Sequence, residues 1–349
     1  MHAPIAAPPA APPCEAPRPR YNWGLHRYAC FCAGSILFLI CLGGLVTSNE
    51  AGMSVPDWPN TYGYNMFFFP WQKWVGGIFY EHSHRLVASG VGVLVSLLAI
   101  WLCFQPRIWL RWMGICVPIF IAFEAVLGGL RVVLSENQLG IFHGSLAQLL
   151  LVAVSLIALF TSRWWLGIYP CRRPVVPSRW TGLTLAVCVL IFTQLVLGAT
   201  MRHQHAGLAI HDFPLAYGRL WPQADPDSID AYNRVRASNE PATSALAIEL
   251  QMVHRLAAVL IVLSIFALAA KMWLTPGSAH ILRRWSAAWA GLVLIQFVLG
   301  ACTVWTDKAA DVATAHVAVG ALTLVLGVLL CAMSWRLQSP EELATSVAP

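Results

Sequence analysis

Charge is what this sequence has least of. Only 11% of its 349 residues are Asp, Glu, Lys or Arg, while 58% are hydrophobic. A soluble domain carries about a quarter charged residues, so a soluble globular class is excluded. The net charge of +6 is spread thinly and gives no basic cluster that would track a phosphate backbone, so nucleic acid is not an expected partner. Ten cysteines are present, but the two long polar loops contain none, which rules out a disulfide framework there. Cys30 and Cys32 lie inside an apolar run and read as small buried hydrophobes.

What the chain has instead is apolar runs of about 20 residues, each long enough to cross a bilayer as a helix. Eight are read: Tyr28–Thr47, Leu86–Phe104, Trp112–Leu130, Leu139–Thr161, Trp180–Met201, Leu250–Ala270, Trp285–Thr306 and Val312–Trp335. The Pro/Ala-rich leader, residues 1–20, reads as a disordered cytoplasmic tail rather than a cleaved signal, and 339–349 as a second tail. With the N-terminus inside, 13 of the 22 Lys and Arg fall on the cytoplasmic side, although the outer loops are much longer. Both termini are therefore expected in the cytoplasm.

The chain is written twice. "AGMSVPDWPNTYG" from Ala51 matches "AGLAIHDFPLAYG" from Ala206 at six of thirteen positions. "LGGLVT" from Leu42 pairs with "LGATMR" from Leu197, and "HRLVASGVGVLV" from His84 with "HRLAAVLIVLSI" from His254. "AVLGGL" from Ala125 pairs with "FVLGAC" from Phe297, and the segment around His143 with that around His316. The expected fold is thus an all-α integral membrane protein of eight transmembrane helices, arranged as two tandem pseudo-symmetric four-helix bundles. These cover residues 21–165 and 175–338 and are related by a twofold along the membrane normal. The extra residues of the third outer loop, "RLWPQADPDSIDAYNRVRASNEPATSA", read as a surface insertion.

Four of the eleven histidines occupy equivalent places: His84 and His254, His143 and His316. Each half presents two imidazoles on alternate helices at similar depth, which is how a bundle supplies an axial ligand pair to a haem iron. A single histidine at a helix end is ordinarily an interfacial residue; four in register with a duplication are a site. No carboxylate or thiolate triad accompanies them, which disfavours a non-haem metal. Glu81 stands three residues before His84, whereas the second half has Gln251 before His254. Either Glu81 does proton chemistry or it caps the helix N-terminus. Arg85 and Arg255 follow the histidines and suit haem propionates or headgroups.

Other polar groups are weighed alongside. Glu124, with Gln296 as counterpart, is a functional carboxyl or a buried hydrogen-bond partner. The first loop, with "YNMFFFPWQKWVGG", rests at the interface or covers the site, and Tyr62 and Tyr217 are candidates to touch a haem. His203, His205 and His211 with Asp212 form a metal site or a solvated loop, while His26 and His82 read as surface residues without partners.

"GGIFYEHSHRL", "DWPNTYG", "FHGSLAQ", "MVHRL" and "TAHVAVGAL", spread over residues 25–336, resemble the heme A synthase family of respiratory assembly enzymes. The resemblance implies an oxidoreductase that converts the C8 methyl of heme O to a formyl group, through two hydroxylations and loss of water, giving heme A for terminal cytochrome oxidase. It implies that Glu81, His84 and His143 are catalytic in the N-terminal half, where heme O binds as substrate. His254 and His316, aided by Arg255, would hold a resident haem b in the C-terminal half, with Arg85 assisting in the first. It further implies a bacterial inner membrane, haem sites toward the outer face, and heme O synthase and oxidase assembly factors as partners. A homo-oligomer is compatible with the sequence. Some members carry a cysteine pair in an outer loop, which this chain lacks, so no thiol-dependent step is carried over. The competing classes are a di-haem b electron-transfer subunit, which leaves the Glu81/Gln251 difference unexplained, and a transporter, for which broken-helix signals are missing.

Overall fold

The computed structural model describes residues 21–167, 176–236, 241–275 and 280–338, and both expected tails lie outside these. Among the described residues eight helices are long and apolar enough to span a membrane: α1 (Trp23–Ser48), α2 (Gly76–Cys103), α3 (Ile108–Val133), α4 (Asn137–Thr161), α6 (Ser178–His203), α8 (Ala245–Leu274), α9 (His280–Trp305) and α10 (Ala310–Arg336). Two short helices, α5 (Arg163–Gly167) and α7 (Pro226–Val235), lie between them. Among the described residues the only β pairing is two isolated bridges. The chain is a multi-pass membrane protein.

Each half closes into a four-membered ring: α1 packs on α2, α2 on α3, α3 on α4 and α4 on α1, and likewise α6, α8, α9 and α10. Between halves α1 meets α10, α4 meets α6, and α4 meets α10. Exchanging α1 with α6 and α4 with α10 reproduces this set of contacts, as a twofold through the α4–α10 contact requires. Two apolar cores result, one per half. Helix α10 feeds both, through Ala321 and Val325 on one side and Leu324 and Leu330 on the other. Outward-facing Phe31, Phe38, Val93, Leu97 and Ile100 stay exposed, as lipid-facing side chains do. Where helices approach closely a glycine makes room. A Cβ at Gly44 of α1 would lie 3.1 Å from Thr314 of α10, and one at Gly114 2.7 Å from the Ala99 carbonyl oxygen.

Helix α2 begins ten residues before the span read from hydropathy, and α8 five before. "EHSHR" is therefore inside a helix and not at its mouth. The N-cap of α2 is Val75, which overturns the capping alternative for Glu81. Polar residues enter the helix because the α1–α2 and α6–α8 loops fold onto them and hydrogen-bond to them.

Those two loops are copies in three dimensions. Asp57 accepts from the Tyr62 and Gly63 N–H groups (2.7 and 2.8 Å), and Asp212 from those of Tyr217 and Gly218 (2.7 and 2.9 Å). Tyr62 (φ 49°) and Tyr217 (φ 51°) hold the left-handed conformation next to Gly63 and Gly218. Their hydroxyls donate to Ser54 O and Ala209 O, which makes them loop locks. The insertion carries α7, N-capped by Asp225 with Pro226 following, and Tyr232 of α7 stacks on Tyr217 at 3.6 Å. In the first loop Phe67, Phe68 and Trp71 face outward, while Phe69 and Trp74 pack on His82.

His82 is consequently no surface residue. It is fully buried and hydrogen-bonded to Thr61 Oγ1 at 3.1 Å. His26 also has a partner, the Ala158 carbonyl at 2.9 Å. Both readings from the sequence are corrected, because the loop and the neighbouring helix supply partners that sequence distance hides.

Burial raises the Asp57 carboxyl, but the Gly63 and Tyr62 N–H groups outweigh it and hold Asp57 below the ordinary carboxylate range. A lowered folded value means that the stabilisation exists above the unfolded pKa and is lost as pH falls through the folded one. Asp57→Ala is expected to weaken this loop by about 1 kcal/mol after allowance for screening at a half-exposed site. Hydrogen exchange at Tyr62 and Gly63 would speed up several-fold, with Tyr217 and Gly218 unchanged as the internal reference.

Candidate functional site

The four repeated histidines sit on α2, α4, α8 and α10, and each ring lies against a glycine of the preceding helix of its own bundle. A Cβ at Gly43 (α1) would stand 3.2 Å from His84 Cε1, and one at Gly128 (α3) 3.2 Å from His143 Cε1. In the second half the distances are 3.3 Å for Gly198 (α6) to His254 and 3.0 Å for Gly300 (α9) to His316. The glycines are themselves repeat-related. Each removes the one substituent that would push the imidazole out of its seat. They stand in the matched segments "LGGLVT", "LGATMR", "AVLGGL" and "FVLGAC", where a glycine carries no chemical signal of its own.

His84 and His143 lie close enough to interact electrostatically, as do His254 and His316. The Nδ1 atoms of all four are buried without a hydrogen-bond partner. A buried, unpaired ring nitrogen costs about 1–3 kcal/mol, so four in symmetric places mark a site and not a packing accident. The structure thus brings together in pairs the residues singled out from the sequence.

The first half adds charge. Glu81, 4% exposed, accepts the Val55 N–H at 2.9 Å on one oxygen and pairs with Arg85 at 2.7 Å through the other. Arg85 also donates to the carbonyls of Val55, Asp57 and Asn60. The second half achieves the same with a neutral amide. Gln251 accepts the Ile210 N–H at 2.7 Å and donates to the Ile210 and Gly207 carbonyls. Arg255 spans Asp212 O and Leu215 O, the counterparts of Asp57 O and Asn60 O. Both arginines therefore clamp the outer loop onto the bundle. The clamp works with glutamine in place of glutamate, so holding the loop does not by itself require the Glu81 charge.

Glu124 lies beneath. Its Oε2 is 2.6 Å from His143 Nδ1, without hydrogen-bond alignment, and neither carboxylate oxygen has another partner. Its counterpart Gln296 places Nε2 3.4 Å from His316 Nε2. Each of these side chains stands behind the α4 or α10 imidazole, where a carboxylate or amide orients a metal-binding ring. The loop histidines do not converge: His203 packs beside Gly140 and Arg131, and His211 is 4.0 Å from Asp307. Among the described residues no group of three His, Cys, Asp or Glu is placed to hold a metal ion.

Residues 26–328 match the COX15-CtaA family, cytochrome oxidase assembly protein. Curated relatives carry the name heme A synthase. That of Shouchella clausii is 28% identical over 72% of this chain and 76% of its own length. Those of Alkalihalophilus pseudofirmus (24%; 89% and 95%) and Rhizorhabdus wittichii (25%; 95% and 96%) align over nearly their whole lengths.

Substituting a seat glycine tests the geometry. Gly300→Val is expected to displace His316 and, where each histidine pair binds one haem, to remove about half of the haem bound per chain. Gly34→Ala, where nothing stands within 4 Å, would leave haem content unchanged. Pyridine haemochrome assay of the purified variants reads both.

Proposed function

The chain belongs to the COX15-CtaA family of cytochrome oxidase assembly proteins, and from that membership we propose that it is a heme A synthase. It is an enzyme of heme A biosynthesis for cytochrome oxidase. In this reading heme O is the substrate, held between His84 and His143, and its C8 methyl is oxidised to a formyl group. His254 and His316 hold a resident haem b, which when bound supplies one-electron transfer. The protein sits in a bacterial inner membrane with both termini cytoplasmic and the histidine pairs toward the outer face. Heme O synthase and oxidase assembly factors are its expected partners.

The residues present suit such ligands. The imidazoles are paired, their buried Nδ1 atoms make no aligned hydrogen bond, and a glycine notch fixes each ring. The observation that carries the division of labour is the exchange of Glu81 for Gln251 within otherwise superposable loop clamps. Converting a methyl to a hydroxymethyl group with water releases two protons and two electrons, which a haem b held by His254 and His316 would pass one at a time to an external one-electron acceptor. A second such round gives the diol, which loses water to the aldehyde. Glu81 is the carboxylate one helical turn before His84, and in this reading it takes a proton from the adding water while its charge favours an electron-poor carbon. Arg85 holds that carboxylate in place, and the clamped loop shields it from bulk water. A di-haem electron carrier would need the histidines alone and gives no role to this exchange.

Expression in a host that makes heme O but not heme A tests the function, with membrane haems separated by chromatography and identified by mass. Heme A or its hydroxylated precursor is expected; heme O left untouched beside fully bound haem b would leave a cytochrome. Glu81→Gln installs a side chain that the fold already uses at position 251. It should keep the haem content and lower conversion by roughly 10²- to 10⁴-fold. Full activity in that variant would remove Glu81 from the chemistry.

A further inference from the structure

Arg131 ends α3, close to the His84/His143 pair, and nothing in the repeat accounts for it. Its counterpart in the second half is Thr303, whose hydroxyl bonds back to the Leu299 carbonyl within its own helix. Two glycines make room for the Arg131 side chain. A Cβ at Gly52 in the first outer loop would lie 2.7 Å from one terminal guanidinium nitrogen, and a Cβ at Gly140 of α4 2.9 Å from Nε. The guanidinium is thus enclosed by the loop, α3 and α4. Its Nε is buried with no partner, and among the described residues no hydrogen bond or ion pair engages the group. The charges nearest to it do not neutralise it. Glu81 is already committed to Arg85 and Val55 N–H, Arg202 is another cation bonded to Gly44 O and Ser48 Oγ, and His203 packs alongside.

A guanidinium buried at Nε and without a counter-ion is costly, and its planar fork, with the terminal nitrogens still accessible, matches a carboxylate. The sequence pointed to Arg85 for that role, but Arg85 is filled by three backbone carbonyls and Glu81. We propose that Arg131 is the carboxylate-binding residue of the N-terminal site and grips a propionate of the haem seated at His84 and His143. This rests on the reading of that site as a haem site. In the second half Gly207, the counterpart of Gly52, has the flexible Lys308 at 3.4 Å instead, so an enclosed guanidinium belongs to the first half.

The test is a cycle between side chain and ligand. The purified full chain in detergent is titrated with ferric protoporphyrin IX and with its dimethyl ester, and the N-terminal site is identified as the absorbance change lost in His84→Ala. The wild type is expected to bind the free acid roughly ten- to a hundredfold more tightly than the ester. Arg131→Gln should bind both with the weaker affinity, and Arg131→Lys should recover part of the difference. The His254/His316 spectrum, unchanged in every variant, reports that the chain is folded. Equal binding of acid and ester by the wild type, or a loss in Arg131→Gln that is the same for both, overturns the assignment. Absence of any His84-dependent binding in the wild type overturns the haem reading itself, and with it the proposal.

Discussion

An imidazole set into a membrane bundle must be held by something other than water, and in this protein it is held by the absence of a side chain. Each of the four histidine rings rests on a glycine of the preceding helix. The glycine fixes how close the two helices come, and that approach fixes where the ring nitrogens point. Everything else is arranged around this contact. Helices α4 and α10, the most enclosed of the spans, carry one histidine of each pair and also form the contact between the halves. A shift of one bundle against the other would therefore reach both centres at once.

The outer loops solve a second problem of the same kind. Helices α2 and α8 start with polar residues that hydrocarbon would penalise. The loops fold back so that their own backbone groups meet those side chains, and Asp57 and Asp212 tie each loop into its turn. The polar helix end and the loop are joined into one hydrogen-bonded unit. That is why α2 extends ten residues beyond its hydropathic limit while remaining buried at Glu81 and His82.

Much of this was legible in the sequence, and for a physical reason. Span length is set by bilayer thickness, and a duplication prints the same constraints twice, so the eight helices, their division and the four histidines could be read directly. What could not be read depends on approach between segments far apart in the chain. Arg85 looked like a propionate partner because its three carbonyl acceptors lie 25 to 30 residues away in a loop. His82 looked solvent-facing because Phe69, Trp74 and Thr61 reach it only after the loop folds. The seat glycines were in plain view within the repeated segments, but a glycine announces nothing until its neighbour is known.

The duplication also explains how one fold carries two different centres. At three places the second half replaces an ionisable residue by a neutral one of similar reach or smaller: Glu81 by Gln251, Glu124 by Gln296, Arg131 by Thr303. At the first of these the bond to the loop N–H survives the change, while the ion pair with Arg85 gives way to two amide bonds to loop carbonyls. A carboxylate and an amide have nearly the same shape but differ in whether they carry charge, so the exchange alters electrostatics while sparing the scaffold. Charges buried near a membrane are expensive and are kept where they act. Their concentration around His84 and His143 supports the proposal that the chemistry belongs to the first half. The second half keeps the same imidazole geometry with amides in place of the two carboxylates, which suits the proposed group that only passes electrons.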